Sequence, residues 1–171
     1  SSINIPQPAE LTASFAVVNA SCFGENDGSL IVTAFGGSSV YGYLWNDLNL
    51  TQSNTLDDLV AGTYSVTITD VEVVGCFTTV SDIVTEPTEI LSGLVTTNVS
   101  CYAGENGSAT LTPSGGVTSN PGAYTYQWNN NSNLPFLNGL SANFYSVTIT
   151  DDDGCTTTDP ILFEIKQPID L

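Results

Sequence analysis

Apolar and polar positions alternate with a period of two along most of the chain. Residues 64–70, YSVTITD, put Tyr64, Val66 and Ile68 on one face and Ser65, Thr67 and Thr69 on the other. That is the signature of a half-buried strand. Leu11–Val18, Ser29–Phe35 (SLIVTAF), Tyr41–Asn46 (YGYLWN), Thr63–Asp70 and Cys76–Val84 read as five strands, and Asn49–Leu59 has room for one or two short ones. Turn signals fall between them at Asp27-Gly28, Gly36-Gly37, Ala61-Gly62 and Val74-Gly75. No segment of useful length has a helical apolar period.

The same pattern then repeats. YSVTITD returns at 145–151, Cys22-Phe23 meets Cys101-Tyr102, Gly36-Gly37 meets Gly115-Gly116, and Tyr41–Asn46 meets Tyr124–Asn129. The offset drifts between matched segments, as small loop insertions would make it. QPAEL at 7–11, EPTEI at 86–90 and QPIDL at 167–171 read as joints between repeats, stiffened by proline. The boundaries are therefore 1–10 for the tail of a preceding joint, 11–86 for a first repeat and 87–171 for a second. The opening SSINIPQPAEL reads as linker, so the chain reads as a fragment of an array that continues in both directions. At roughly 80 residues a repeat is far longer than a solenoid unit and can hold its own core.

Several short antiparallel strands with this turn spacing predict an all-β chain of two tandem immunoglobulin-like β-sandwich domains. Leu59-Val-Ala-Gly62-Thr-Tyr64, a Leu and a turn Gly before a Tyr that enters a strand, resembles a tyrosine corner. Tyr64 and Tyr145 are then core residues. So are Trp45 and Trp128, which alternate in step with Tyr43 and Tyr126; a sugar-stacking platform is the competing reading.

Composition narrows the function. The chain has 171 residues, 18 acidic side chains, no His and one cation, Lys166, for a net charge of −17. No basic surface exists to neutralise phosphates, which excludes nucleic acid and disfavours anionic lipid. No stretch of eighteen apolar residues predicts insertion into a membrane. With 41% hydrophobic and 11% charged residues the chain is expected to fold.

Cys22 and Cys76 have the same spacing as Cys101 and Cys155. An even count repeated in register predicts one disulfide per domain, Cys22–Cys76 and Cys101–Cys155, and an oxidising, extracytoplasmic setting. Each bond would add about 4 kcal/mol in the chain-entropy view. Four reduced, buried cysteines are the competing reading. An immunoglobulin topology puts the end of its first strand and the start of its last at opposite ends of the sandwich, where Cys22 and Cys76 fall. The pairing is the stronger signal, so the topology is expected to give way.

Without His, Ser-His-Asp and Cys-His catalysis are excluded within the chain, and no carboxylate pair stands apart from turn positions, so no catalytic residue is assigned. Acids cluster enough to make calcium a candidate cofactor. Asp27 with Asp70, or Glu105 with Asp151 and Asp153, would be the ligands if sheet ends gather them. Glu86 and Glu89 are candidates to hold an ion at the joint. The competing reading is turn chemistry, since Asp and Asn before Gly cap turns.

Ser-Cys-Phe-Gly-x-Asn-Asp-Gly-Ser, Gly-Gly, Tyr-x-Tyr-x-Trp, Leu-x-x-Gly-x-Tyr-x-Val-x-Ile-x-Asp and Gly-Cys, in that order, resemble the SprB-type repeat of large gliding-motility adhesins and related surface proteins of Bacteroidetes. Both copies carry the pattern. The second departs at Ala103, where the first has Gly24, and at Asn143-Phe144, where the first has Gly62-Thr63. The resemblance implies a secreted filament on the bacterial outer surface, exported by the type IX system. It implies a non-enzymatic spacer or stalk whose partners are neighbouring repeats of the same chain. A module that binds surface polysaccharide or another extracellular ligand is the alternative, with Tyr41, Tyr124 and Phe136 as its candidate aromatics, and an accessory domain of a secreted enzyme is a further one.

Overall fold

The computed structural model describes residues 9–117 and 123–169, and every regular element among them is a β-strand. The outer residues of the first and last joint motifs, including Gln7, Pro8, Asp170 and Leu171, lie outside the described residues. The chain divides into two compact units, Ser1–Glu86 and Pro87–Leu171.

The first unit contains β1 (Thr12–Val18), β2 (Gly28–Phe35), β3 (Tyr41–Trp45), β4 (Thr55–Leu59), β5 (Gly62–Asp70) and β6 (Phe77–Val84). They form two antiparallel three-stranded sheets, ordered β1-β2-β4 and β3-β5-β6. Alternation decides what each sheet buries. Leu30 and Val32 of β2 and Leu56 and Leu59 of β4 join Trp45, Val66, Ile68 and Val84 of the other sheet in one core cluster. Two sheets closed over a shared apolar layer, with first, second and fourth strands on one side, give an immunoglobulin-like sandwich. The Tyr64 hydroxyl donates to the Val60 carbonyl at 3.0 Å, across the corner that enters β5, and Tyr145 repeats this with Ser141 at 3.1 Å. Tyr64 is half-buried and Tyr145 is buried.

The second unit contains β7 (Thr88–Leu91), β8 (Val95–Thr97), β9 (Gly107–Thr110), β10 (Ser114–Gly116), β11 (Thr125–Trp128), β12 (Phe136–Leu140), β13 (Asn143–Thr150) and β14 (Ile161–Ile165). Its sheets are ordered β12-β9-β8 and β11-β13-β14, and β10 pairs with β7 apart from them. The long first and second strands of the first unit are thus each split in the second. Pro113 is the evident cause: it has no N–H to offer a ladder, and β9 ends at Thr110 just before it. Opposite, Gly93 takes φ +54° and its carbonyl accepts the Thr112 hydroxyl at 3.0 Å.

Each unit has two poles. In the first, the chain arrives at a proximal pole, where the Gly37 N–H donates to the Ala9 carbonyl at 3.0 Å. It leaves at a distal pole, where the Ala20 N–H donates to the Thr85 carbonyl at 3.0 Å. The second unit repeats this: Gly116 of β10 pairs with Thr88 of β7 at the proximal pole, and the Val99 N–H donates to the Lys166 carbonyl at 3.1 Å at the distal one.

Candidate functional site

The proximal pole of each unit is organised by one buried aspartate. Asp70 continues the face of β5 that carries Val66 and Ile68, so alternation drives it inward, and it is only 1% exposed. A carboxylate there must be hydrogen-bonded. It accepts the Ser38 hydroxyl at 2.6 Å, the Ser38 N–H at 2.7 Å, and the Glu72 and Val73 N–H groups at 3.1 Å each. The Ser38 hydroxyl and then its N–H hold the Asp70 carboxyl below the usual carboxylate range, against an opposing push from burial. Asp151 is built the same way, accepting from Val117 N–H at 2.7 Å, Cys155 N–H at 2.8 Å and Asp153 N–H at 3.1 Å. Val117 offers no hydroxyl where Ser38 does. This is why the repeated string YSVTITD includes its final aspartate: the residue ties the turn after the strand to the Gly-Gly turn.

A depressed carboxylate pKa stabilises the fold above the unfolded value of about 3.9 and ceases to do so as pH falls through the folded value. Asp70→Asn replaces an acceptor with an amide N–H facing donors. Its melting temperature should drop clearly at pH 7, and the gap from wild type should narrow by pH 3, read by circular dichroism. Exposed acids lose their mutual repulsion over the same range, so the difference between variant and wild type isolates Asp70. A variant that melts with wild type at pH 7 would remove the aspartate from this role.

The candidate calcium ligands are not brought together. Asp27 lies at the distal pole, where its carboxylate accepts the Ser21 N–H at 2.9 Å, and Asp70 lies at the proximal pole. The nine residues of β5 separate the two ends by about 26 Å at roughly 3.3 Å per residue. Glu105 is likewise distal, and Asp151 and Asp153 proximal, in the second unit. Among the described residues, no three acidic or thiol side chains are grouped to hold a metal ion. The residues do not fit the ion, and turn chemistry accounts for them. Asn106 occupies the place of Asp27 and does its work, accepting the Ser100 N–H at 3.0 Å; an amide suffices. The Asp27 carboxyl is held low, chiefly by its hydrogen bonds from Ser21.

Glu86 is engaged by the backbone of its own unit. Its carboxylate accepts the Gly24 N–H at 2.7 Å, and Gln167 accepts the Ala103 N–H at 3.1 Å. Asn19 and Asn98 complete the pattern, accepting from Thr85 N–H at 3.0 Å and Lys166 N–H at 2.9 Å. These four residues clamp each cysteine loop to the outgoing chain of its own unit. Sequence reasoning missed them, although Glu86 and Gln167 stand at the same place in two joint motifs.

The expected cysteine pairs are corrected. Cys76 and Cys101 are free thiols, while Cys22 and Cys155 are disulfide-bonded. Neither Cys22–Cys76 nor Cys101–Cys155 is formed. Cys22 sits in the loop clamped by Glu86 at the distal pole, and Cys76 precedes β6 at the other. The topology held and the pairing gave way, the reverse of the expectation.

The candidate aromatics divide. The Tyr41 hydroxyl donates to the Gly36 carbonyl at 2.6 Å and the Tyr124 hydroxyl to Gly115 at 2.7 Å; both brace the Gly-Gly turn. Phe136 is exposed. On the second unit, Phe144 (70% exposed) and Leu162 (78%) line a shallow groove with Tyr145, Phe163 and Glu164.

Two segments of the chain match the SprB repeat. They span residues 14–50 and 93–133. The first SprB match runs from β1 through β3, and the second from the turn before β8 through β11. Each includes one clamped cysteine loop. No curated protein matches the chain in sequence. Among solved structures, the three N-terminal domains of the highly immunogenic outer capsid protein (Hoc) of bacteriophage RB49 are similar at 10% identity and a TM-score of 0.41, over 92% of this chain and 66% of that one. A structure titled for the basis of Dscam isoform specificity is similar at 12% identity and a TM-score of 0.35, over 95% of this chain and 47% of that one. The chain spans less than two thirds of the length of either.

Proposed function

We propose that the chain is a non-enzymatic, load-bearing segment of a secreted cell-surface adhesin, serving as a spacer in surface attachment and gliding motility. One observation carries the mechanical part. The chain enters and leaves the first unit at opposite poles, through β1 and β6. A pull on the ends therefore runs along the strands. The ladder bonds lie across that direction, so β1, in register with β2 at seven positions, and β6, in register with β5 at eight, resist together rather than one bond at a time. The SprB matches support the surface setting, and the proposal includes export by the type IX route from a Bacteroidetes source. Neighbouring repeats are the first partners in this reading, and surface polysaccharide the next.

The test is an immunoblot of source cells with antibody to this segment, before and after protease shaving of intact cells. A very large band that shaving removes is the expected result. A small band confined to the medium would overturn the stalk reading. The exposed Phe144–Leu162 groove favours a second reading, a glycan- or protein-binding module. Phe144→Ala, with adhesion of coated beads lost and melting unchanged, would favour that reading instead.

A further inference from the structure

Each unit by itself carries one cysteine at each pole. The Cys22 loop is clamped by Glu86 where the chain leaves, and the Cys101 loop by Gln167 in the same way. Cys76 stands beside Ala9, Glu10 and Leu11, where the chain arrives. Its carbonyl accepts the Asp70 N–H at 2.9 Å, as the Cys155 carbonyl accepts that of Asp151 at 2.9 Å. The eight residues of β6 keep the two poles about 23 Å apart, whereas a disulfide needs Cα atoms within about 7 Å. Pairing inside one unit is geometrically closed.

The redox states divide by position in the chain. Cys22 is distal and Cys155 proximal, and both are disulfide-bonded. Cys76 is proximal and Cys101 distal, and both are free thiols. The free pair has one thiol of each kind. These are the two positions whose repeat-equivalents are oxidised, so each has a local geometry already shown to carry a disulfide. Cys101 is exposed and Cys76 partly so.

We propose that Cys101 and Cys76 are the two halves of a head-to-tail disulfide, the distal cysteine of one repeat bonding the proximal cysteine of the next repeat of its kind. In bond formation the two thiols lose two protons and two electrons to a disulfide oxidant such as oxidised glutathione, which is reduced to two thiols. The partner of Cys101 is then Cys76 of a second copy of this chain, or its equivalent in a following repeat. A distal cysteine clamped beside the outgoing chain, and a proximal one beside the incoming chain, both lie near the short peptide that joins consecutive repeats. The bond would bridge the joint between the two copies and give that Pro-containing connection a covalent second strand. This assignment rests on cysteine placement and not on the adhesin reading, so the shaving experiment and this one fail separately.

The test is a tandem fusion of two copies, with residue 168 of the first joined to residue 9 of the second, so that one joint of the observed spacing separates them. Tethering holds the two thiols at millimolar effective concentration. The first copy carries Cys76→Ser and the second Cys101→Ser, leaving Cys101 of the first and Cys76 of the second as the pair in question. After equilibration with oxidised and reduced glutathione, denaturing thiol titration should find no free thiol, and mass spectrometry should find a peptide bridging those two residues. Two free thiols that persist would overturn the proposal. So would bridged peptides joining Cys22 to Cys76 or Cys101 to Cys155. Single copies under the same buffer supply a second readout: mixing Cys76→Ser with Cys101→Ser chains should give a Cys101–Cys76 heterodimer, and Cys101–Cys101 dimers in preference to it would count against the assignment.

Discussion

Replacing Trp45 with alanine should destabilise the first unit by about 3–5 kcal/mol, enough to unfold most of a small domain. Trp45 is 1% exposed, sits in the single cluster shared by both sheets, and faces Phe15 with ring centroids 6.1 Å apart. Its Nε1–H donates to the Ser53 carbonyl at 2.8 Å, so the indole fills space and satisfies a loop at once. Alanine leaves a large cavity and a carbonyl without its donor. The second unit is built alike: the Trp128 Nε1–H donates to the Leu134 carbonyl at 2.8 Å, and its ring lies edge-on to Phe163 at 5.9 Å. The chain has only two tryptophans, so in Trp45→Ala the remaining fluorescence reports on the second unit alone. Urea unfolding should then split, with far-UV circular dichroism lost in two steps and fluorescence changing only in the later one. Trp45→Phe, which keeps a ring and loses the N–H, should fall between. A sugar platform would behave oppositely: an exposed Trp can be removed with almost no loss of stability. A measured loss below about 1 kcal/mol would therefore return Trp45 to the surface reading.

The same residues show what the sequence made legible. Alternation through YSVTITD located β5 and β13, because burial of every second side chain leaves a direct imprint on residue type. The step from Leu59 through Gly62 to Tyr64 located the tyrosine corner, because that hydrogen bond is local in sequence. The cysteines and acids were read less well, for one physical reason. In an antiparallel sandwich every turn lies at one pole or the other, and sequence spacing does not say which two turns share a pole. Cys22 and Cys76, or Asp27 and Asp70, look like natural partners within a repeat until the strand between them is given its length. Periodicity adds to the ambiguity: an equal cysteine spacing in both repeats follows from duplication alone, whatever the bonding. The split of the second unit's strands at Pro113 was readable in principle, since a proline inside a strand pattern demotes it. The clamp by Glu86 and Gln167 was not, because it joins residues more than sixty positions apart.

Gly36→Ala should cost about 2–5 kcal/mol and act first on the incoming chain. Gly36 has φ +89°, a conformation that costs an L side chain roughly 1–2 kcal/mol. A Cβ built there would also overlap the Glu10 carbonyl oxygen, and relieving such crowding typically costs a further 1–3 kcal/mol. Neither partner is a flexible side-chain tip. The backbone at Glu10 would have to move, and with it Ala9, whose carbonyl accepts the Gly37 N–H, and Leu11, which is buried in the core. Gly115 repeats the arrangement against the Glu89 carbonyl, at φ +86°, so the first glycine of each Gly-Gly pair is where the repeat grips the segment leading into it. Gly75→Ala is the control. It has φ +83° but nothing within 4 Å of its Cβ, and should lose only the conformational part, about 1–2 kcal/mol. Hydrogen exchange separates the two. In Gly36→Ala, protection should fall at Gly37 and along the start of β1 more than in β5, whereas in Gly75→Ala the loss should centre on the turn before β6. Equal destabilisation by the two variants would mean that the close approach of Gly36 to Glu10 adds nothing. For a segment proposed to carry load, the difference between them measures how firmly the incoming chain is held before the strand ladders are engaged.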